Sequence, residues 1–204
     1  MRVLVGTYRK RKHVEAALRS LEQNVSGVTD LVFIDDSGSK RNARWLANYG
    51  RVVEVGKKGF TAAYQAVCEA AEGQDCFILE EDFTFLVKVN LPELQEKLHK
   101  WSWLAQISLL RVPIFQEEIE CGGIVEMFRR RGDNVVETEG LIVHTSNFSC
   151  NPSLWRGEVC EMGWPQVADS EVVHTRELVA KGYKFACLPG IGIEHHGKHS
   201  GFGY

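Results

Sequence analysis

Cys76-Phe77-Ile78-Leu79-Glu80-Glu81-Asp82-Phe83-Thr84-Phe85 is the stretch around which the 204-residue chain is organised. An apolar run ends in three consecutive carboxylates, and an aromatic pair follows. The apolar part is too short for a helix and rich in β-formers, which predicts a buried parallel strand. Three acids at its C-terminal tip repel one another, and each prefers water. A bound cation explains them: hard ions such as Mg²⁺ and Mn²⁺ take oxygen ligands and leave positions for a substrate's phosphates. The crevice at the carboxyl ends of parallel strands is where open α/β sheets bind ligands. The plain alternative is a solvated acidic turn.

Upstream, residues 2–5 read as a first strand closed by Gly6-Thr7-Tyr8. Val14, Ala17, Leu18 and Leu21 then mark an amphipathic helix over 13–23. A second buried strand over 30–34 ends at Asp35-Asp36-Ser37-Gly38-Ser39. A helix over 40–48, a strand over 51–55, the turn Gly56-Lys57-Lys58-Gly59 and an alanine-rich helix over 60–71 lead to the acidic strand. This alternation predicts an α/β fold, a mostly parallel central sheet with helices on both faces. Right-handed connections gather the first, second and fourth strand tips on one edge. Thr7, Tyr8 and Arg9 then stand beside Asp35 and Asp36 and beside Glu80, Glu81 and Asp82. Neither a Gly-x-Gly-x-x-Gly nor a P-loop pattern occurs, which argues against a dinucleotide site and against phosphate held by glycine-rich backbone.

Downstream, Pro92 opens a helix over 93–101, and a strand follows over 104–112. Residues 113–140 are glycine-interrupted, with short strands expected at 124–128 and 134–138. After the apolar 141–144 come a polar turn over 146–152 and a turn at 161–165 carrying Trp164. A helix over 170–181 stops at Gly182-Tyr183, and a last strand spans 184–188. His195, His196 and His199 crowd the glycine-rich C-terminus.

A chain of this length suits one domain with a sheet covered on both faces. Its 44% hydrophobic and 25% charged residues are ordinary for a soluble globular protein. A net charge of -3 gives the whole chain no nucleic-acid signature. The basic runs at 9–12 and 129–131 read first as solvated faces. Six cysteines at 68, 76, 121, 150, 160 and 187 show no C-x-x-C spacing, so free thiols in a reducing compartment are expected. No apolar stretch reaches signal-peptide or membrane-span length, and the expectation is a cytoplasmic protein.

The order of these motifs resembles the small GT-A-fold glycosyltransferases, most closely the large inverting group usually called family two. Thr7-Tyr8-Arg9 is similar to the family's first nucleotide-contacting turn. Phe33-Ile34-Asp35-Asp36-Ser37-Gly38-Ser39 resembles its V-V-D-D-G-S stretch with one extra serine. Glu80-Glu81-Asp82 stands where the family carries its D-x-D metal motif, and Gly163-Trp164 through Ser170-Glu171 to Gly182-Tyr183 resembles its acceptor-side helix. The resemblance covers most of the chain outside 100–140. It implies a single domain over 1–204, with a nucleotide-sugar half (1–90) and an acceptor half (91–204).

The implied activity is metal-dependent transfer of a sugar from a nucleoside-diphosphate sugar, a UDP-sugar first among the donors, to a hydroxyl with inversion. Thr7, Tyr8, Arg9 and Glu81 would contact the donor, as would one of Asp35 and Asp36 at its base or ribose. Lys57 or Lys58 would reach its phosphates. Asp82 would hold Mn²⁺ or Mg²⁺, with Glu80 as helper and His195 as a further ligand; His196 and His199 are rivals. Three histidines so close together suggest a ligand cluster even without the resemblance, a surface patch being the plain alternative. An inverting transfer needs a base for the acceptor proton, and an ionised carboxylate suits it. Asp169 or Glu171 supplies it. Counted back from Gly182-Tyr183, Glu171 falls on the family's aspartate, so the pair reads Ser-Glu where the family has Glu-Asp. Helix capping is the plain reading of both acids. Trp164 either stacks on an acceptor ring or plugs the core.

Two other classes fit parts of the pattern. A nucleotidyltransferase uses acids and metal at such an edge, though with a glycine- and lysine-rich first loop. A non-catalytic nucleotide- or sugar-binding domain is the other; a receiver-like domain built on Asp35/Asp36 leaves Asp169, Glu171 and the histidines without a task. The acceptor is not legible; a hydroxylated base in DNA is one candidate, with the two basic runs as phosphate contacts.

Overall fold

The computed structural model describes residues 1–56 and 59–197. Its first half alternates strand and helix: β1 (Arg2–Thr7), α1 (Arg11–Asn24), the short β2 (Val25–Ser26), β3 (Asp30–Asp35), α2 (Lys40–Leu46), β4 (Arg51–Glu54), α3 (Phe60–Ala71) and β5 (Cys76–Glu80). There follow β6 (Phe83–Phe85), β7 (Val89–Asn90), α4 (Leu91–Lys100), β8 (Leu104–Arg111), α5 (Gln116–Cys121), α6 (Ile124–Arg130), β9 (Val136–Thr138) and β10 (Leu141–His144). The last elements are β11 (Ser153–Trp155), α7 (Gly157–Glu161), α8 (Ser170–Ala180) and β12 (Lys184–His195).

A ten-stranded sheet runs β4-β3-β1-β5-β11-β8-β12-β10-β9, with β6 paired to β12; β2 and β7 form a separate pair. β4, β3, β1 and β5 are mutually parallel. The second half is mixed, because β11 enters antiparallel between β5 and β8, whereas β12 runs parallel to β8. Alternate residues of the central strands face opposite layers. Val3, Val5, Phe33, Phe77 and Leu79 pack with Val14, Leu21 and Leu94 of α1 and α4. Leu4, Val32, Ile34, Cys76 and Ile78 pack with Tyr64, Val67, Val159 and Leu178 of α3, α7 and α8. Helices therefore cover both faces, as expected. Each fully buried Leu, Ile or Phe contributes roughly 1.5–3 kcal/mol. That explains why β5, buried from Cys76 to Leu79, carries an uninterrupted apolar run.

Register brings the predicted tips together: Thr7 lies opposite Asp35 and Gly6 opposite Glu80. Two expectations fail. Residues 124–128 belong to the helix α6, because Ile124, Val125, Met127 and Phe128 recur at helical rather than alternating spacing. The last strand does not stop at 188 but continues to His195, with register shifts around Pro189 and Gly190. Among the described residues no helix is long and apolar enough to cross a membrane.

Candidate active site

Three loops leave the sheet edge, and hydrogen bonds tie them to one another. The Glu81 N–H donates to Gly6 O at 3.0 Å, and the Glu81 carboxylate accepts from the Tyr8 N–H at 2.8 Å. The Asp36 N–H donates to Thr7 O at 3.1 Å. Asp35 accepts from Ser37 N–H and the Asn42 side-chain amide, both at 3.1 Å. The Asp36 carboxylate accepts from Gly59 N–H at 3.0 Å. Arg9, in the left-handed region at φ 65°, donates its guanidinium to Ser37 O at 2.6 Å. Thr7, Asp35, Asp36 and Glu81 are buried, so their polar atoms shape the loops from beneath, whereas Tyr8 and Arg9 are exposed on them. Burial pushes the Glu81 carboxyl up to about 7, against the pull of the Tyr8 N–H. Glu81, expected to touch the donor, instead fastens the first loop to the β5 tip. Lys57, Lys58 and His199 lie outside the described residues.

The acid that faces a cation is Asp82. Its Oδ2 lies 3.4 Å from His195 Nε2 and 3.8 Å from Lys10 Nζ. The β6–β12 pairing sets His195 opposite Phe83, and the two rings stack at 4.5 Å. Burial alone would raise the Asp82 carboxyl, but the hydrogen bond and charge of His195, together with Lys10, hold it below the ordinary aspartate value. His196 is placed differently: its N–H donates to Asp82 O at 2.8 Å, while its ring bonds the Thr84 hydroxyl at 2.7 Å. Of the two histidines, His195 is the one aimed at the carboxylate. Gly197 closes over this pair so tightly that a Cβ there would stand 2.1 Å from Asp82 Oδ2.

These donors fit a hard divalent ion. Among the described residues no third His, Cys, Asp or Glu converges on the pair. Mg²⁺ is commonly held by only one or two carboxylates, with phosphates and water completing the shell. Glu80, expected as the helper ligand, has a partner of its own. Its Oε1 takes the Tyr64 hydroxyl at 2.9 Å, and burial, with the nearby Asp82 charge, pushes it up to about 8.

On the side expected to take an acceptor, Glu171 in the first turn of α8 is half-buried. Its Oε1 accepts from Cys150 N–H at 3.3 Å and from the Asn147 amide at 3.4 Å. Burial raises its pKa and these bonds oppose the rise. The Tyr64 hydroxyl also lies 3.4 Å from Cys150 O, so Glu80, Tyr64, Cys150 and Glu171 form one continuous lining. Asp169 is exposed, at φ 53°, and its side chain caps nothing. Trp164 is 3% exposed, stacked on Trp155 at 5.8 Å and against Tyr64 at 4.7 Å, with its N–H given to the Ser170 hydroxyl. It is a core plug with no face for an acceptor, which corrects the first of its two readings. Sequence reasoning missed Tyr64, Asn42 and Asn147. Lys10 lay in a basic run that had no signal separating it from its neighbours.

A small void of about 10 Å³ beneath these groups is lined by Gly6, Thr7, Asp36, Tyr64 and Glu80. A wider depression of about 500 Å³ at the opposite strand ends, around Asp30, Asp75 and His99, holds none of them.

The α/β fold is shared with solved structures. The chain matches Staphylococcus aureus TarS at 14% identity and TM-score 0.62, over 95% of this chain and 36% of that one. Residues 1-349 of TarS in complex with UDP match with TM-score 0.59 at 14% identity, over 95% of this chain and 59% of that one. The same fragment in complex with UDP-GlcNAc matches with TM-score 0.60 at 15% identity, over 99% of this chain and 61% of that one. The chain thus spans about a third to three-fifths of these proteins. At such identities the likeness is one of fold. No family model matches the sequence, and no curated protein does.

Proposed function

We propose that the protein is a nucleotide-sugar-dependent glycosyltransferase that moves a hexose from a UDP-sugar to an acceptor hydroxyl with inversion. The observation that carries this reading is the Asp82–His195 pair, set 3.4 Å apart at the tip of the central strand beside the β1 and β3 loops. The fold it sits in is matched along nearly the whole chain by proteins crystallised with UDP and UDP-GlcNAc, which supports the donor class.

Tyr8 and Arg9 line the donor's entry, and buried Asp35 and Asp36 hold the loops that receive the nucleoside. Asp82 and His195 would hold Mn²⁺ or Mg²⁺, which when bound supplies Lewis-acid neutralisation of the diphosphate. Lys10, beside the same carboxylate, adds a positive charge at that strand edge. Glu171 takes the acceptor proton. As the hydroxyl oxygen bonds to the anomeric carbon, the bond from that carbon to the diphosphate breaks, and UDP leaves with the electron pair. A raised pKa suits the task, because a carboxylate nearer neutrality is the stronger base. Asp169, exposed and without a partner in the lining, is the weaker candidate.

Release of UDP from UDP-hexoses, with Mn²⁺ and with water or glycerol as acceptor, tests the assignment. Glu171→Gln lowers turnover by about 10²–10⁴-fold while UDP still binds. Turnover within a few-fold of the parent protein would remove Glu171 from the mechanism.

A further inference from the structure

The basic run at the start of α1 has a counterpart on α2 that the transfer chemistry does not use. Residues 8–14 and 37–53 together hold eight Lys or Arg and no carboxylate. Lys10, Lys40 and Arg51 pair with Asp82, Glu54 and Glu72. The other five differ: among the described residues no carboxylate pairs with Arg9, Arg11, Lys12, Arg41 or Arg44. Three of them rest instead on main-chain carbonyls, Arg9 on Ser37, Arg11 on Arg41 and Arg44 on Lys40. A guanidinium on a carbonyl is oriented but keeps its charge. The run at 129–131 contrasts with this. Arg129 pairs with Glu126 and Glu137, and Arg131 with Glu117, so that face is largely neutralised.

Aromatic rings interleave with the uncompensated charges. Arg11 lies 4.8 Å over the Trp45 ring, and Trp45 meets Tyr49 edge-on at 5.2 Å. Arg9 lies 5.5 Å from the Tyr8 ring. Tyr49 is 43% exposed, so it leaves ring surface open. Charge alone would suit any polyanion. Charge with open rings suits a polyanion that carries planar groups. Trp45 lies on α2 and Tyr49 in the turn just past it, neither on an inserted wedge, so they can stack only on bases that are already unpaired.

We infer that the β1–α1 and α2 face binds a single-stranded nucleic acid, its phosphates on Arg11, Arg41 and Arg44 and its bases on Tyr49 and neighbouring rings. The inference does not require the transferase reading; if both hold, the strand is delivered to the edge where the acceptor must lie.

The test is fluorescence anisotropy with a labelled oligothymidylate about 20 nucleotides long. Binding weakens with salt, and Arg41→Ala/Arg44→Ala reduces the slope of log K against log salt by about 1.4, or ~0.7 per lost phosphate contact. Tyr49→Ala, at an exposed position, weakens binding about fivefold or more at fixed salt. Inorganic polyphosphate, polyglutamate and the duplex form compete poorly. Absence of binding at low salt, binding that both variants leave unchanged, or equal competition by polyphosphate or polyglutamate would each overturn the inference. The UDP-dependent thermal shift of the same variants, whose substitutions lie outside the donor site, reports on the transferase reading separately.

Discussion

His174 makes the packing behind Glu171 sensitive to acid. It sits on α8, 2% exposed, with its ring 4.6 Å from Trp164 and 5.0 Å from Phe148, and with no hydrogen-bond partner for Nε2 among the described residues. Burial lowers its pKa from 6.5 to about 4. Between those values the unfolded chain binds the proton and the folded chain does not, so stability is fullest above pH 6.5 and falls as the pH drops toward 4. At pH 5 the loss from this one residue is ~2 kcal/mol relative to pH 8. His144, also buried and lowered to about 4, acts the same way. Glu80 and Glu81 oppose it: raised to about 8 and 7, they hold protons in the folded state and favour it as the pH falls through those values. The net pH profile is therefore a poor test, and a difference is a good one. His174→Phe keeps an aromatic ring in the cluster and removes the titration. Urea unfolding of both proteins at pH 8 and pH 5 should give the variant a loss on acidification smaller by ~2 kcal/mol. Equal losses in the two proteins would show that His174 is not held neutral in the fold.

Two further substitutions separate structure from chemistry. Glu118, 3% exposed, accepts two bonds of 2.7 Å from Arg111 and one of 3.1 Å from Ile114 N–H, so Glu118→Gln leaves the half-buried guanidinium without its counter-charge and should cost ~3–5 kcal/mol in urea unfolding. A loss under ~1 kcal/mol would mean that the pair is solvated. Trp164→Ala should destabilise by ~3–5 kcal/mol through a cavity among Trp155, Tyr64 and His174. If Trp164 were an acceptor platform instead, acceptor KM would rise at unchanged stability.

The edge formed by the tips of β1, β3 and β5 was legible because its signals are local. Buried parallel strands are continuous apolar runs, and the acids at 35–36 and 80–82 follow those runs directly, so topology alone placed Thr7 beside Asp35 and Gly6 beside Glu80. The acceptor side rests on long-range contacts with no period to read. β6 and β11 are three residues each, too short for a pattern. Pro189-Gly190 reads as a strand end, yet β12 bulges through it and carries His195 to Asp82. The triple acid looked like a single ligand set, but each acid has its own partner: Tyr64 for Glu80, Tyr8 N–H for Glu81 and His195 for Asp82. Trp164 beside glycine and proline suited a surface platform equally well until its neighbours were known.

The central claim is that Asp82 and His195 hold a metal that in turn holds a nucleoside diphosphate. A thermal-shift panel of UDP, GDP, TDP and CMP, each with Mn²⁺, Mg²⁺ or EDTA, tests it directly. A ligand near 100 times its Kd adds about 2.7 kcal/mol, which lifts the midpoint of a domain this size by roughly 5–10 °C. The account predicts that shift for UDP with Mn²⁺ or Mg²⁺, its loss in EDTA and its loss in Asp82→Asn, whose own midpoint stays near that of the parent protein. No shift with any nucleotide, or a UDP shift that Asp82→Asn and EDTA leave intact, would contradict it.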